Sequence, residues 1–406
     1  MKITDLRSTI VAVPLTQAHP SSLDVIGRTP CVSVIVEIHT DSGLVGVGES
    51  PVLTGAEVCK SMIDSVKCQL LGRDPFEIEK IRRQLYARVY LTHFHLHVAN
   101  WAYSGIEMAL WDIVGKACKQ PLYRLWGGGY RDKVKFWGWV PHTKLPAIAA
   151  EAKRRVKEGY DTLYEKVGID PKHDVASVKA IRDAVGYDVE LRIDANQAWT
   201  PGTAVRLIRK MEKYDLEFVE QPVLMYNLDA LARVRKAVGT PILAHESSWT
   251  FYDALNVIKH EAADAIQLDP RFDGGLAGFK TAAGMAEAAG MGAVVHSFFE
   301  LGITTAFFLH AVASSPAFIY ANQTLYAFLS DDVLAGGMMK FENGHLRVPR
   351  KPGLGVEIDG AKVKKYAELY RNKVRGREFS GTWGSPRKLL GLSLETEDWI
   401  PRAARW

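Results

Sequence analysis

Val189-Glu190-Leu191-Arg192-Ile193-Asp194, Leu216-Glu217-Phe218-Val219-Glu220 and Pro241-Ile242-Leu243-Ala244-His245-Glu246 are three short apolar runs, each closed by an acid. Asp194, Glu220 and Glu246 stand 26 residues apart at each step. A strand with its following helix takes roughly 25–30 residues, so this period puts all three acids at the same end of consecutive parallel strands. Singly, each acid reads as a helix N-cap or a chance strand-end carboxylate. Together they read as a divalent metal site, and oxygen-only ligands favour a hard cation such as Mg²⁺ over zinc.

The same ruler extends in both directions. Candidate strands at 135–140, 162–167, 189–195, 216–221, 241–246, 264–269, 292–296 and 318–322 alternate with amphipathic stretches such as 144–158, 202–213 and 276–289. Eight strands alternating with helices predict an α/β chain whose residues 131–345 form a modified (β/α)₈ TIM-type barrel, with its active site at the C-terminal strand ends. An open doubly wound sheet is the alternative, but no Gly-rich phosphate loop follows the first strand. Residues 1–130 read as an α+β domain. Its strands fall at 2–14, 32–39 and 44–49, the last two joined by the Thr40-Asp41-Ser42-Gly43 turn, and its helices at 56–71, 76–90 and 98–118. Gly127-Gly128-Gly129 marks a hinge into the barrel. Residues 346–406 leave the repeat through Lys351-Pro352-Gly353-Leu354-Gly355-Val356 and a basic helix, expected to return to the first domain.

Bulk properties exclude several classes. The chain has 406 residues, enough for two domains, with 47% hydrophobic and 24% charged residues. Its net charge of +5 is mild and lacks a Lys/Arg block, so a small anionic substrate is expected and nucleic acid is not. No apolar run approaches the roughly 20 residues that span a bilayer, so no membrane partner is expected. The N-terminus alternates like a strand and lacks the form of a signal peptide. Cys31, Cys59, Cys68 and Cys118 show no metal spacing, which together with that N-terminus predicts a cytoplasmic protein without disulfides.

Around the acids, each strand end carries chemistry. Tyr164 and Lys166 lie two apart on the second strand and share a face, with Glu165 opposite. Asp194 is followed two residues on by Asn196, a candidate substrate ligand. From Lys166 through the three acids to Asp269 and His296 the steps are 28, 26, 26, 23 and 27 residues, one barrel step each. Lys166 and His296 would then face each other across a metal held by Asp194, Glu220 and Glu246. A carboxylate substrate on that metal would present its α-carbon between two bases, and the cation would lower the cost of the enediolate. Asp269 can accept from the His296 imidazole and fix its tautomer.

These residues carry a resemblance. Lys166-Val167-Gly168, Asp194-Ala195-Asn196-Gln197-Ala198-Trp199, Val219-Glu220-Gln221-Pro222, Glu246-Ser247, Leu268-Asp269-Pro270 with Gly274-Gly275, and His296-Ser297 resemble the enolase superfamily, in its mandelate racemase and glucarate dehydratase branches. Ser104 to Asp112, Pro121-Leu122-Tyr123 and Pro352 to Val356 resemble the same family's capping domain, so the likeness spans most of the chain. Leu268-Asp269-Pro270-Arg271-Phe272 is closest to the glucarate dehydratases. The resemblance implies a Mg²⁺-dependent acid-sugar dehydratase that takes a 2,3-dihydroxy acid to a 2-keto-3-deoxy acid, with protonated His296 helping the C3 hydroxyl leave. A homo-oligomer is expected. A racemase or epimerase on the same two bases is the alternative. Cycloisomerases of the family carry Lys on the sixth strand, where this chain has Asp269; a catalytically silent metal-binding barrel is the remaining class.

The chain also departs from the pattern. Tyr164 stands where the family has the first Lys of Lys-x-Lys, and its neutral phenol is expected to hold a substrate oxygen. Glu246 stands where glucarate dehydratases have Asn. His245 reads as a structural residue or a rim donor, and Glu300 as a substrate-facing acid or a helix-start carboxylate. Specificity is expected from loops 16–30 (with His19 and Arg28) and 50–55. His93-Phe94-His95-Leu96-His97 reads as a rim segment, with a metal site as the alternative.

Overall fold

A computed structural model describes residues 1–16, 30–51, 55–88 and 98–376. Strand β1 (Ile3–Pro14) pairs antiparallel with β2 (Pro30–Thr40), which turns through Gly43, at φ 80°, into β3 (Val45–Pro51). The helix Val98–Ala117 crosses this meander and is buried almost all round, as its apolar sequence requires. Contact is close because Gly48 has no side chain: a Cβ there would collide with the Gly105 carbonyl.

The second domain is a parallel half-barrel. Short β4 (Lys133–Lys135) is followed by β5 (Gly138–Val140), β6 (Thr162–Lys166), β7 (Glu190–Asp194), β8 (Phe218–Glu220), β9 (Ile242–Ala244), β10 (Ala265–Leu268) and β11 (Gly292–Val295). Strands β5 to β11 form one seven-stranded sheet in chain order. The register pairs Lys166 with Asp194, Asp194 with Glu220, and Glu220 with Leu243, so consecutive strands end at one level. Sheet residues are buried on both faces, as a parallel sheet between helices and its own interior must be. Helix starts are marked locally. Asp170 caps Pro171–Val185 through Lys172 and His173 N–H groups, and Thr250 with Asp253 forms a capping box on Phe251–Lys259.

Two expected strands differ. The run 135–140 divides: β4 pairs antiparallel with β12 (His345–Arg347), and only β5 joins the barrel. The eighth strand, expected at 318–322, is not a regular strand. Ile319 N–H turns back to the Ala317 carbonyl, which breaks the ladder. Closure instead uses an isolated bridge, Phe136 to Asn322, on one side; toward β11, Ala293 N–H donates to the Ala317 carbonyl, Gln323 N–H to the Val295 carbonyl, and Val295 N–H to the Asn322 side chain. Buried Arg192 adds a donor from β7 to the Ala321 carbonyl at 2.7 Å.

The helix Gly360–Leu369 lies along β1, and Tyr370 and Val374 enter the apolar cluster of the first domain. Two acids of that domain reach into the barrel. Glu49 on β3 accepts from Leu301 and Thr304 N–H groups at the start of helix Gly302–Ala313. Glu107 accepts from Leu276 N–H, the first residue of helix Leu276–Ala288, past a Gly275 that any Cβ would block. Among the described residues no helix is long and apolar enough to cross a membrane.

Candidate active site

The barrel register gathers the strand-end residues into one buried cluster. Asp194, Glu220 and Glu246 are all buried, Glu246 in a short turn (Glu246–Ser248) just past β9. Lys166 makes an ion pair with Asp194 Oδ2 and donates to Asn196 Oδ1 at 2.6 Å. Past β7 the chain enters the left-handed region at Asn196 and Gln197, with φ 45° and 68°. That turn, not a shared strand face, places Asn196: its N–H returns to Asp194 Oδ1 at 2.6 Å and its amide donates to Glu246 Oε1 at 2.9 Å.

Two placements differ from the sequence reading. Tyr164 is fully buried, stacked on Trp137 at 4.7 Å, and its hydroxyl donates to Asp194 Oδ2 at 2.6 Å. Its one donor thus serves an acid of the cluster, not a substrate oxygen. His245 enters the cluster itself. Its Nδ1 lies 2.8 Å from Glu220 Oε1 and 3.4 Å from Glu246 Oε2, and its ring parallels that of Trp249. The side chains whose donor atoms converge within 4.8 Å are Asp194, Glu220 and His245, with Glu246 held one step out by Asn196.

Charge in the cluster is poised for a cation. Burial opposes ionisation of Asp194, but Lys166 and His245 outweigh it and hold the carboxyl below its ordinary range. Burial, reinforced by the Asp194 charge, pushes Glu220 up to about 7. A divalent ion would relieve both costs, so this donor set fits one.

On the far side of the cluster, His296 Nδ1 meets Asp269 Oδ2 at 2.9 Å. Burial first, then the His245 charge, hold the imidazole neutral, down to about 3. Arg271, unremarked in the sequence beyond its place in the motif, is fully buried and forks Asp269. Glu300 is buried too; its oxygens are engaged by Ser297 Oγ at 2.5 Å and Arg271 at 3.4 Å, and burial raises it to about 7. It supports Arg271 from the start of the helix that follows β11. Gln267, two residues before Asp269, was also missed. Turned with its nitrogen toward Glu220, it donates to both carboxylate oxygens at 3.1 and 3.2 Å. Position two before a strand-end acid was the available signal. His93 to His97, loop residues 17–29 and residues 52–54 lie outside the described residues.

Known proteins share this architecture. Residues 147–363 match the enolase C-terminal domain-like family, and residues 6–127 match the mandelate racemase/muconate lactonizing enzyme N-terminal domain. The L-Ala-D/L-Glu epimerase of Bacillus subtilis is 38% identical over 88% of this chain and 97% of its own. Arabinonate dehydratase of Saccharolobus solfataricus is 31% identical over 84% and 92%. The dipeptide epimerase of Enterococcus faecalis, solved with Mg and the dipeptide L-Leu-L-Tyr, superimposes with a TM-score of 0.81 at 31% identity, covering 88% of this chain and all of that one. Relatives named as racemase, cycloisomerase and D-galactonate dehydratase widen the range of reactions. The sequence-based expectation of a dehydratase is therefore narrower than the relatives, whose activities include epimerisation. With a buried acid cluster at the strand ends and both domains matched, the chain belongs to the enolase superfamily, in its mandelate racemase/muconate lactonizing enzyme group.

Proposed function

We propose that this chain is a Mg²⁺-dependent dehydratase of an acid sugar, acting on a 2,3-dihydroxy carboxylate. The observation that carries the reading is His296, just past β11 and bonded through Nδ1 to Asp269, with Lys166 paired to Asp194 of the acid cluster at the end of β6. Asp194 and Glu220, with Glu246 as the third carboxylate, would hold the ion; bound there, Mg²⁺ would lower the cost of charge on the substrate carboxylate. His296 Nε2 takes the C2 proton, and the C–H electron pair moves into the C1–C2 bond. As that pair returns to form C2=C3, the C3–O bond breaks and His296 gives its proton to the departing hydroxyl, releasing water. The enol product becomes the 2-keto-3-deoxy acid. Lys166 stays close enough to Asp194 and Asn196 to balance charge on the opposite face. Arabinonate dehydratase among the relatives supports this reading.

A second reading is epimerisation at the α-carbon, with Lys166 and His296 exchanging one proton across the two faces. The 38% identity to L-Ala-D/L-Glu epimerase favours it. The test is incubation with Mg²⁺ in D₂O against aldonates, aldarates, and L-Ala-L-Glu. A 2-keto product from a sugar acid supports dehydration; deuterium at the α-carbon of the dipeptide, without loss of water from any sugar acid, replaces it with epimerisation.

A further inference from the structure

We infer that Arg271 is a positioning residue for His296: it locks the Asp269 carboxylate as an ionised, non-rotating acceptor and so fixes which imidazole nitrogen faces the substrate. This rests on the reading of His296 as the proton carrier.

Every lone-pair direction of Asp269 is used. Oδ1 accepts from Arg271 N–H at 2.8 Å and from Arg271 Nε at 2.8 Å. Oδ2 accepts from Arg271 Nη2 at 2.5 Å and lies 2.9 Å from His296 Nδ1. Rotating the carboxylate toward His296 or away from it breaks at least two charge-assisted bonds, the stronger kind of hydrogen bond. The guanidinium is itself confined. Its Nη1 lies 3.4 Å from Glu300, and its carbon sits 4.3 Å from the Phe298 ring centroid and 4.8 Å from that of Phe308. Arg271 and its acids are buried, so no solvent competes for these bonds.

Chemistry follows from the donor inventory. A carboxylate engaged by a guanidinium fork is acceptor-only. The proton of the His296–Asp269 bond therefore belongs to Nδ1, and the lone pair of the neutral ring belongs to Nε2. Without Arg271, Asp269 could take that proton itself or turn, and the imidazole could present an N–H where the reaction needs a base. Lysine cannot replace the fork, because it offers a point charge without the two parallel donors.

The test uses the full-length chain loaded with Mg²⁺, as wild type, Arg271→Lys and His296→Asn, with Arg271→Gln in reserve if the Lys variant does not fold. The first measurement needs no substrate. The hydrogen-bonded imidazole N–H of His296, assigned by its loss in His296→Asn, should be present in wild type and lost or displaced in the Arg271 variant. Mg²⁺ affinity by calorimetry should stay within about twofold, since the acids sit on other strands. An unmoved imidazole resonance in the Arg271 variant overturns the inference. The second measurement uses whichever sugar acid or dipeptide the wild type turns over. We expect kcat to fall about 10- to 100-fold with KM nearly unchanged, the pattern of a mis-set catalytic group. A raised KM at unchanged kcat overturns it. If the wild type turns over no probe, the functional reading fails, and Arg271 is judged on the imidazole resonance alone.

Discussion

Strand β6 separates two buried groups of acids and imidazoles that look alike in composition and differ in physics. On its inner side lie Asp194, Glu220, His245 and His296, with Lys166 and Arg271 among them. On its outer side Glu165 faces His142 at 3.5 Å, with His173 and Asp174 on the adjoining helix, and no Lys or Arg pairs with these acids among the described residues. Burial answers differently in the two places. Outside, it pushes Glu165 up to about 8 and Asp174 to about 7, and His173 down to about 4, so charge is avoided. Inside, cations hold Asp194 and Asp269 ionised against the same burial. Ligand-type side chains in one place do not make a site. Convergence and a retained charge do, and the outer group has neither among the described residues.

The comparison can be broken most sharply at His296. His296→Asn should lower turnover about 10²- to 10⁴-fold, the range of a lost acid–base group; steady-state kinetics with near-normal turnover would leave the inner group without a catalytic centre. Next is the metal. Glu220→Gln should weaken Mg²⁺ binding at least about 100-fold by calorimetry, since it removes a ligand and not merely its support. Asp174→Asn should leave that affinity within about twofold, and equal losses in both variants would erase the distinction between the groups.

A smaller effect sits at Tyr164. Because its hydroxyl reaches Asp194, Tyr164→Phe should weaken Mg²⁺ binding about 10-fold, in the range for groups that orient a ligand. A rise in KM with intact metal affinity would return the phenol to the substrate. The smallest expected change is on the outer side. Glu165 titrates at about 8 when folded against an ordinary value near 4.5, so between those pH values the folded chain holds the extra proton. Stability therefore falls as pH rises from about 4.5 to about 8 and levels off above. Glu165→Gln should flatten that slope and raise the melting temperature near pH 8 by roughly 1 °C for each kcal/mol recovered. An unchanged melting profile would mean that Glu165 is ionised after all.

How much of this was legible in the sequence depended on what carries the information. The 26-residue step made the strand ends readable, because a βα unit has a fixed length, and the register of Lys166, Asp194 and Glu220 follows from it. Lys166 ends β6, and Asp269 and His296 come directly after β10 and β11. What the ruler cannot read is direction beyond a strand. Asn196 is placed by two left-handed residues, His245 by the turn after β9, and Arg271 by a loop, where the same-face rule no longer applies. Tyr164 was assigned to the inner side correctly, but its partner depends on a rotamer held by Trp137, which lies on another segment. The eighth strand misled for a related reason: Phe318 to Asn322 is apolar enough for a strand, but the tight turn at Ile319 consumes the ladder.

Glu49 and Glu107 fasten the first domain to the helices that follow β11 and β10, the strands that lead to His296 and Asp269. Each is a buried acid that accepts from backbone N–H groups of the other domain, Glu49 beside a bond from Ser33 Oγ of its own, so parting the domains would cost both carboxyls and the helix ends hydrogen bonds together. The consequence is cooperative melting. Heating should give one calorimetric transition instead of two, with Glu49→Gln loosening both halves at once.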